Sequence, residues 1–360
     1  METYDLNALL RMVVECNASD LFLTTGAPPQ VKVDGKVQPL PLPPLQVGQA
    51  HRLAYSAMGP QAIADFERTL EYNMAYAPQG IGRFRINVYQ QRRETGLVAR
   101  LVHSQIPGFE ALGLPPVLRD LALLPRGLVL IIGAAGSGKT TTMASMVDYR
   151  AIHQSGHILT VEDPIEYLFR HGASTVDQRE VGVDTHSFSN ALRNAMRQAP
   201  DMIMIGEIRD PETMLHAIKY AETGQLCVST LHASNASQAI KRILNFFPES
   251  AHAQLRMDLS LNLQAIVAQR LLPGLAGRRA LATEVLLQSA HVADLIERGA
   301  VDELRQSLEK TSTMGTHSFD QSLFDLVQRG RIEPEVALAN ADSRTDLSVR
   351  MRLHSSHDPH

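Results

Sequence analysis

Tryptophan is absent from this 360-residue chain, aromatic residues make up 5% of it, and there are only two cysteines. Proteins that hold single-stranded nucleic acid need stacking aromatics and a basic groove. With a net charge of −4 the chain offers little of either, so no direct nucleic-acid partner is expected. Cys16 and Cys227 lie too far apart to form a motif, and so few thiols in so long a chain suit a reducing compartment. Apolar runs are short: Leu128–Ile132 is strand-sized, far below the roughly 20 residues that cross a bilayer. Met1–Arg11 reads acidic and then amphipathic, without the basic and apolar regions of a secretory signal. The chain is therefore expected to stay on the side of the membrane where it is made.

Apolar residues account for 44%, enough for substantial cores, and the length predicts two domains. Residues 1–105 read as a small mixed domain. Leu6–Cys16 has helical spacing, Ser19–Thr24 and Gln30–Val33 are strand-like, and Asp34-Gly35 marks a turn. A second helix is expected over Gln46–Met58, followed by a hairpin of Gly82–Tyr89 and Thr95–Val102. Residues 106–118, rich in proline and glycine, have a linker composition. Residues 119–340 then alternate apolar strands (Gly127–Ile132, His157–Val161, Met202–Ile205, Leu226–Leu231) with helices. Among the helices, Asp210–Gly224 carries Asp210 as N-cap and Pro211 at its first position. Such alternation predicts an α/β fold with a parallel sheet covered by helices. After Pro248 the pattern reads as mainly helical to about Arg331, and 341–360 as a polar, frayed tail.

Gly133-Ala134-Ala135-Gly136-Ser137-Gly138-Lys139-Thr140 satisfies G-x-x-x-x-G-K-[ST] in full, between a predicted strand and a predicted helix. The glycines let backbone N–H groups curl around phosphate, and the helix N-terminus adds its dipole. Lys139 is placed for the β- and γ-phosphates, Thr140 for Mg2+, and Thr141 for a further phosphate contact, so the ligand expected is ATP with Mg2+. Such a loop also needs acids. Glu207 ends the apolar strand Met202–Ile205 after Gly206, which stands where an aspartate is usual, and is expected to hold Mg2+ through water. Glu162 and Asp163 end another strand just before Pro164. Glu162 is the candidate base for the attacking water, and Asp163 a candidate for metal or loop geometry. His232 ends a third strand, where a histidine can contact the γ-phosphate and report its loss. His354, His357 and His360 read as solvated.

In this order the motifs TVEDPIEY (160–167), MIGEIRDPET (204–213) and AETGQLCVSTLHASNA (221–236) resemble those of the PilT/PilU family of type IV pilus retraction ATPases, in the secretion ATPase superfamily. The resemblance runs from about Ser19 to Asp342. It implies a PAS-like α+β N-terminal domain, a RecA-like P-loop ATPase domain and a homo-hexameric ring. It also implies N-terminal arginines near the phosphates of an adjoining subunit, which match Arg83 in GRFRIN and Arg100 in VARLV. The implied partners are a PilT-like paralogue and an inner-membrane pilus platform protein, with the motor cytoplasmic and peripheral through those partners. HVADLIERG (291–299) matches the AIRNLIRE-like helix of PilT poorly, whereas GTHSFDQSLFDL and NADSRTDL are more PilU-like. Two distant cysteines cannot build the four-cysteine zinc site usual in extension motors. The other readings weighed against an accessory retraction motor are a RecA-like nucleic-acid translocase and an ATP-binding assembly factor with little turnover.

Overall fold

The computed structural model describes residues 4–33, 35–102, 105–310 and 314–355. Asp34, His357 and His360 lie outside the described residues. The chain forms two compact units, Met1–Gln105 with Ile165–Leu168, and Ile106–Pro164 with Phe169–His360.

In the first unit the helix Leu6–Glu15 starts at Asp5, whose side chain accepts from Ala8 N–H at 3.0 Å. Its Leu6, Leu9, Leu10 and Val13 are buried, as their spacing requires. Six strands follow: β1 (Asp20–Leu23), β2 (Gln30–Val33), β3 (Lys36–Pro39), β4 (Glu71–Tyr76), β5 (Arg83–Gln91) and β6 (Glu94–Val102). They form one antiparallel sheet in the order β3-β2-β1-β6-β5-β4. Strand β5 shows why: Phe84, Ile86 and Val88 are fully buried, while Arg83, Arg85 and Asn87 alternate to the other face. Arg92 and Arg93 make the two-residue turn into β6 with φ of 47° and 68°, the conformation such hairpins need. The expected second helix is shorter, Gln49–Ser56, and is followed by Pro60–Thr69 and β4, which the pattern did not reveal.

The second unit is a seven-stranded sheet of β7 (Gly127–Gly133), β8 (Gly156–Glu162), β9 (Ser174–Glu180), β10 (Met202–Ile205), β11 (Leu226–Leu231), β12 (Leu263–Pro273) and β13 (Arg279–Leu287). Its order is β13-β12-β7-β11-β10-β8-β9, parallel except for β12 with β13. Helices cover both faces. In β7, Leu128, Leu130 and Ile132 join one core, and Val129 and Ile131 the other. This is the doubly covered parallel architecture that the strand–helix alternation predicts.

Three expectations are corrected. The region after Pro248 is mostly helical, but two long strands interrupt it: the helix His252–Asn262 runs straight into β12, and β12 and β13 complete the sheet. Both strands are buried on both faces, which erases the two-residue alternation that identifies half-buried strands. The stretch 106–118 is no loose linker. It forms the helix Phe109–Leu112 and leads into Val117–Ala122, with Phe109, Leu114 and Leu118 buried against Met143, Met146 and Val147 of the helix Lys139–His153. Its prolines fix the turns between apolar anchors. The tail is helical over Arg344–Ser355, where Leu347 is 1% exposed and the Arg350 guanidinium lies 4.4 Å from the centre of the Phe324 ring.

If that helix is part of the folded core, Leu347→Ala should lower unfolding stability by about 2–5 kcal/mol. Leu353→Ala, at an exposed position of the same helix, should stay within about 0.5 kcal/mol. Equal denaturation midpoints for the two variants would sink the packed-helix account.

Candidate nucleotide site

Because β7, β8, β10 and β11 run parallel, their carboxyl ends open along one edge of the sheet, where α/β folds bind ligands. Gly133 ends β7 and opens the loop. Its φ is 153°, and a Cβ there would meet Ser137 Oγ at 2.4 Å and the Gln269 carbonyl at 2.6 Å, so only glycine lets the loop fold back on β12. Gly138, with φ of 89°, sits at the start of the helix Lys139–His153. Ala134, Ala135, Gly136 and Thr140 are exposed, and Thr141 is half-buried. Ser137 Oγ is buried without a hydrogen-bond partner among the described residues.

Lys139 is 8% exposed, and its Nζ donates to the carbonyls of Gly133 at 3.0 Å and Ala134 at 2.9 Å. Burial lowers its pKa, opposed by the negative charge of Glu207. An ammonium bonded to loop carbonyls, a buried hydroxyl without a partner among the described residues and an exposed glycine loop at a helix start are the donor set that a triphosphate satisfies. Below the loop, Gln269 Nε2 donates to Thr142 Oγ1 at 2.7 Å, fixing the first turn of the helix to β12.

Glu162 closes β8 and is 3% exposed. Its Oε1 accepts from Thr160 Oγ1 at 2.7 Å and from Gln178 Nε2 at 3.0 Å. Thr160 lies two residues earlier on the same strand face, and Gln178 comes from the neighbouring β9. These hydrogen bonds fix the orientation of the carboxylate. Asp163 is exposed, and its charge helps raise the pKa of Arg209.

Gly206 extends β10: its N–H donates to the Val161 carbonyl at 2.8 Å, and its carbonyl accepts from Thr230 Oγ1 at 2.7 Å. Glu207 follows, with its side chain 18% exposed. Its Oε2 takes both Arg209 Nε at 2.8 Å and Arg209 Nη2 at 2.7 Å, while His232 Nε2 lies 2.9 Å from Oε1. These hydrogen bonds to Glu207 are the main cause that raises the Arg209 pKa. Lys139, Glu207, Arg209 and His232 therefore form one electrostatic cluster, with Asp163 within its field. Sequence reading missed Arg209, although its place two residues past Glu207 was the available signal; Gln178 gave none.

For the metal role expected of Thr140, Asp163 and Glu207, no group of three acidic, histidine or cysteine ligands exists among the described residues. One hydroxyl and sparse carboxylates are what Mg2+ needs when phosphates supply most of its oxygens. Arg83 and Arg100 lie in the first unit, on β5 and β6, where Arg100 pairs in register with Arg85. Arg100 Nε also meets Asp20 Oδ1 at 2.8 Å. Burial would raise the Asp20 carboxyl, but hydrogen bonds from Ser19 and Arg100 with the charges of Arg100 and Lys32 outweigh it and lower its pKa.

The family model described as type II/IV secretion system protein matches residues 4–318. The type IV pilus ATPase PilU of Pseudomonas aeruginosa is 48% identical over 355 residues, 98% of this chain and 93% of the relative. The type IV pilus retraction ATPase PilT of the same organism is 39% identical, over 94% of this chain and 98% of its own length. Among solved structures, the pilus retraction motor PilT with bound ADP has a TM-score of 0.89 at 38% identity, over 96% of this chain and 99% of that one. The ATPase DotB of Legionella pneumophila shares the fold, with a TM-score of 0.76 at 24% identity, over 95% of this chain and 98% of its own. Matches that run through both units at such identities leave one assignment: the chain belongs to the type II/IV secretion system protein family.

Proposed function

We propose that the protein is an ATP-hydrolysing motor for type IV pilus retraction, working as a homo-hexamer in the accessory role of PilU. The observation that carries the hydrolytic part is the Glu207 carboxylate held between Arg209 and His232 beside Lys139. The greater likeness to PilU than to PilT of Pseudomonas aeruginosa supports the accessory role. Lys139 exchanges its loop carbonyls for β- and γ-phosphate oxygens, and Ser137, Thr141 and the loop N–H groups hold the rest. Thr140 and Glu207, with Asp163 in support, would hold Mg2+, which would supply neutralisation of phosphate charge. Glu162 orients the attacking water, its rotamer set by Thr160 and Gln178. His232 registers loss of the γ-phosphate through its bond to Glu207. Arg83 and Arg100 come from an adjoining subunit and stabilise charge on the transferring group. The force is delivered through a PilT-like paralogue and a platform protein at the inner face of the inner membrane. An ATP-binding factor with little turnover would have no use for the pre-oriented Glu162. A nucleic-acid translocase would need the basic, aromatic surface that the composition lacks.

Lys139→Ala should abolish ATP hydrolysis, and Glu162→Gln should lower kcat by about 100-fold or more while ATP binding is kept. Turnover that survives Lys139→Ala, or stimulation of the wild-type ATPase by single-stranded DNA, would overturn the reading.

The subunit-sharing of the site has its own test. Arg83→Ala and Lys139→Ala proteins should each be inactive alone, yet hydrolyse ATP when mixed and reassembled, because some interfaces regain both residues. A mixture as silent as its components would remove Arg83 from the shared site.

A further inference from the structure

Four residues past His232 the helix Ala236–Leu244 begins. Its N-cap Asn235 accepts from Gln238 N–H at 2.9 Å, which leaves the first helical N–H groups in need of acceptors. Ala236 N–H finds one in Glu284 of β13, whose Oε1 lies 2.9 Å away and whose residue is 3% exposed. No step of the proposed hydrolysis uses this carboxyl. It sits beside a small cavity of about 130 Å3 bordered by Asn235, Ser237, Asp302, Arg305 and Asp342. Asp342 is bound by Arg270 Nη2 at 2.7 Å, and Arg270 also donates to the Asn340 carbonyl at 2.6 Å and lies 3.7 Å from the centre of the Phe319 ring.

The geometry points to Glu284 as a positioning residue that holds the start of the helix Ala236–Leu244, and through it His232, in register with the C-terminal helices. His232 is tethered on its strand side by Thr230, whose hydroxyl reaches the Gly206 carbonyl at 2.7 Å. On its helix side Glu284 supplies the corresponding tie. The residues between, Ala233 to Asn235, are too few to absorb a shift of the helix start without moving the imidazole from Glu207. A movement of the segment around Asp342 would thus reach the nucleotide site through Arg270, the polar cavity and Glu284.

The carboxyl is also poised to respond to proton concentration. Burial pushes its pKa up to about 7, the Ala236 N–H lowers it, the Asp342 charge raises it, and Arg270 and Arg305 lower it. Asp302, on the cavity wall, is itself ion-paired with Lys241 at 2.5 Å. Above that pH Glu284 is an anion at a helix N-terminus, where an anion binds N–H more strongly. Below it the carboxyl is neutral and the tie weakens.

This role rests on the protein hydrolysing ATP, and the experiment separates the two ideas. Steady-state hydrolysis and ADP binding would be measured from pH 6 to 8.5 for wild type, Glu284→Ala and Glu284→Gln. Wild-type kcat is expected to rise through an inflection near pH 7. Glu284→Ala should lower kcat about tenfold or more with ADP affinity unchanged, as displacement of an orienting group does. Glu284→Gln keeps an acceptor oxygen for Ala236 N–H, so it should retain most turnover at pH 7 while losing the inflection. An active wild type with an unaffected Glu284→Ala, or an inflection kept in Glu284→Gln, overturns the inference. If Glu284→Ala does not fold, the pH profile of Glu284→Gln decides alone. Absence of hydrolysis by wild type would overturn the functional reading itself.

Discussion

The carboxylate of Glu207 has to be shared. At 18% side-chain exposure it is too enclosed for water to solvate it fully, and an unpaired charge there would be costly. Arg209 and His232 satisfy it directly, and Lys139 lies within its field. The arrangement depends on the sheet. Glu207 can face His232 only because β10 lies between β8 and β11 in parallel register, with Gly206 bonded to both neighbours. A Cβ added at Gly206 would stand 3.4 Å from Glu162 Cα and from the Val161 carbonyl, in ordinary van der Waals contact, so β10 runs close beside the end of β8 at this point. The cationic partners of Glu207 are the groups that phosphate oxygens would compete for.

The phosphate loop, Glu162, Glu207 and His232 were legible because each stands at a place that local sequence marks. The loop announces itself by its spacing, and Glu162, Glu207 and His232 each follow a short apolar run, so a parallel sheet must bring them to one edge. Arg209 was hidden by its neighbours, since an arginine between two acids reads as a solvated ion pair until Glu207 is seen to need it. Gln178 and Glu284 were hidden for a different reason. Gln178 reaches Glu162 across the β8–β9 pair, and Glu284 reaches Ala236 of the helix Ala236–Leu244 from β13, so both join segments that no local pattern relates.

The fold was legible where one face of an element is wet and obscure where neither is. The helix Leu6–Glu15 and strand β5 each show their period because polar residues line the outer side. In β12 and β13 apolar residues occupy both faces, and the period vanishes. The stretch 106–118 misled in the opposite sense. Its prolines and glycines describe turns, while the large apolar residues between them, Phe109, Leu114 and Leu118, decide that it packs rather than swings.

Strand β12 gives the hidden region its importance. Successive side chains on a strand point to opposite faces, so Gln269 and Arg270 address different layers. Gln269 supports the phosphate-loop helix at Thr142, whereas Arg270 holds Asp342 and Asn340 and lies over Phe319. Beside it, Glu284 of β13 pairs in register with Ala268 and bonds the helix that follows His232. The C-terminal segment is therefore fastened to the same two strands that brace the loop and the histidine. It cannot shift without loading Arg270, and Arg270 cannot move without drawing on the strand beneath Lys139. In a chain whose task is to turn phosphate chemistry into displacement, that two-faced strand joins the phosphate-loop helix on one side to the segment around Asp342 on the other.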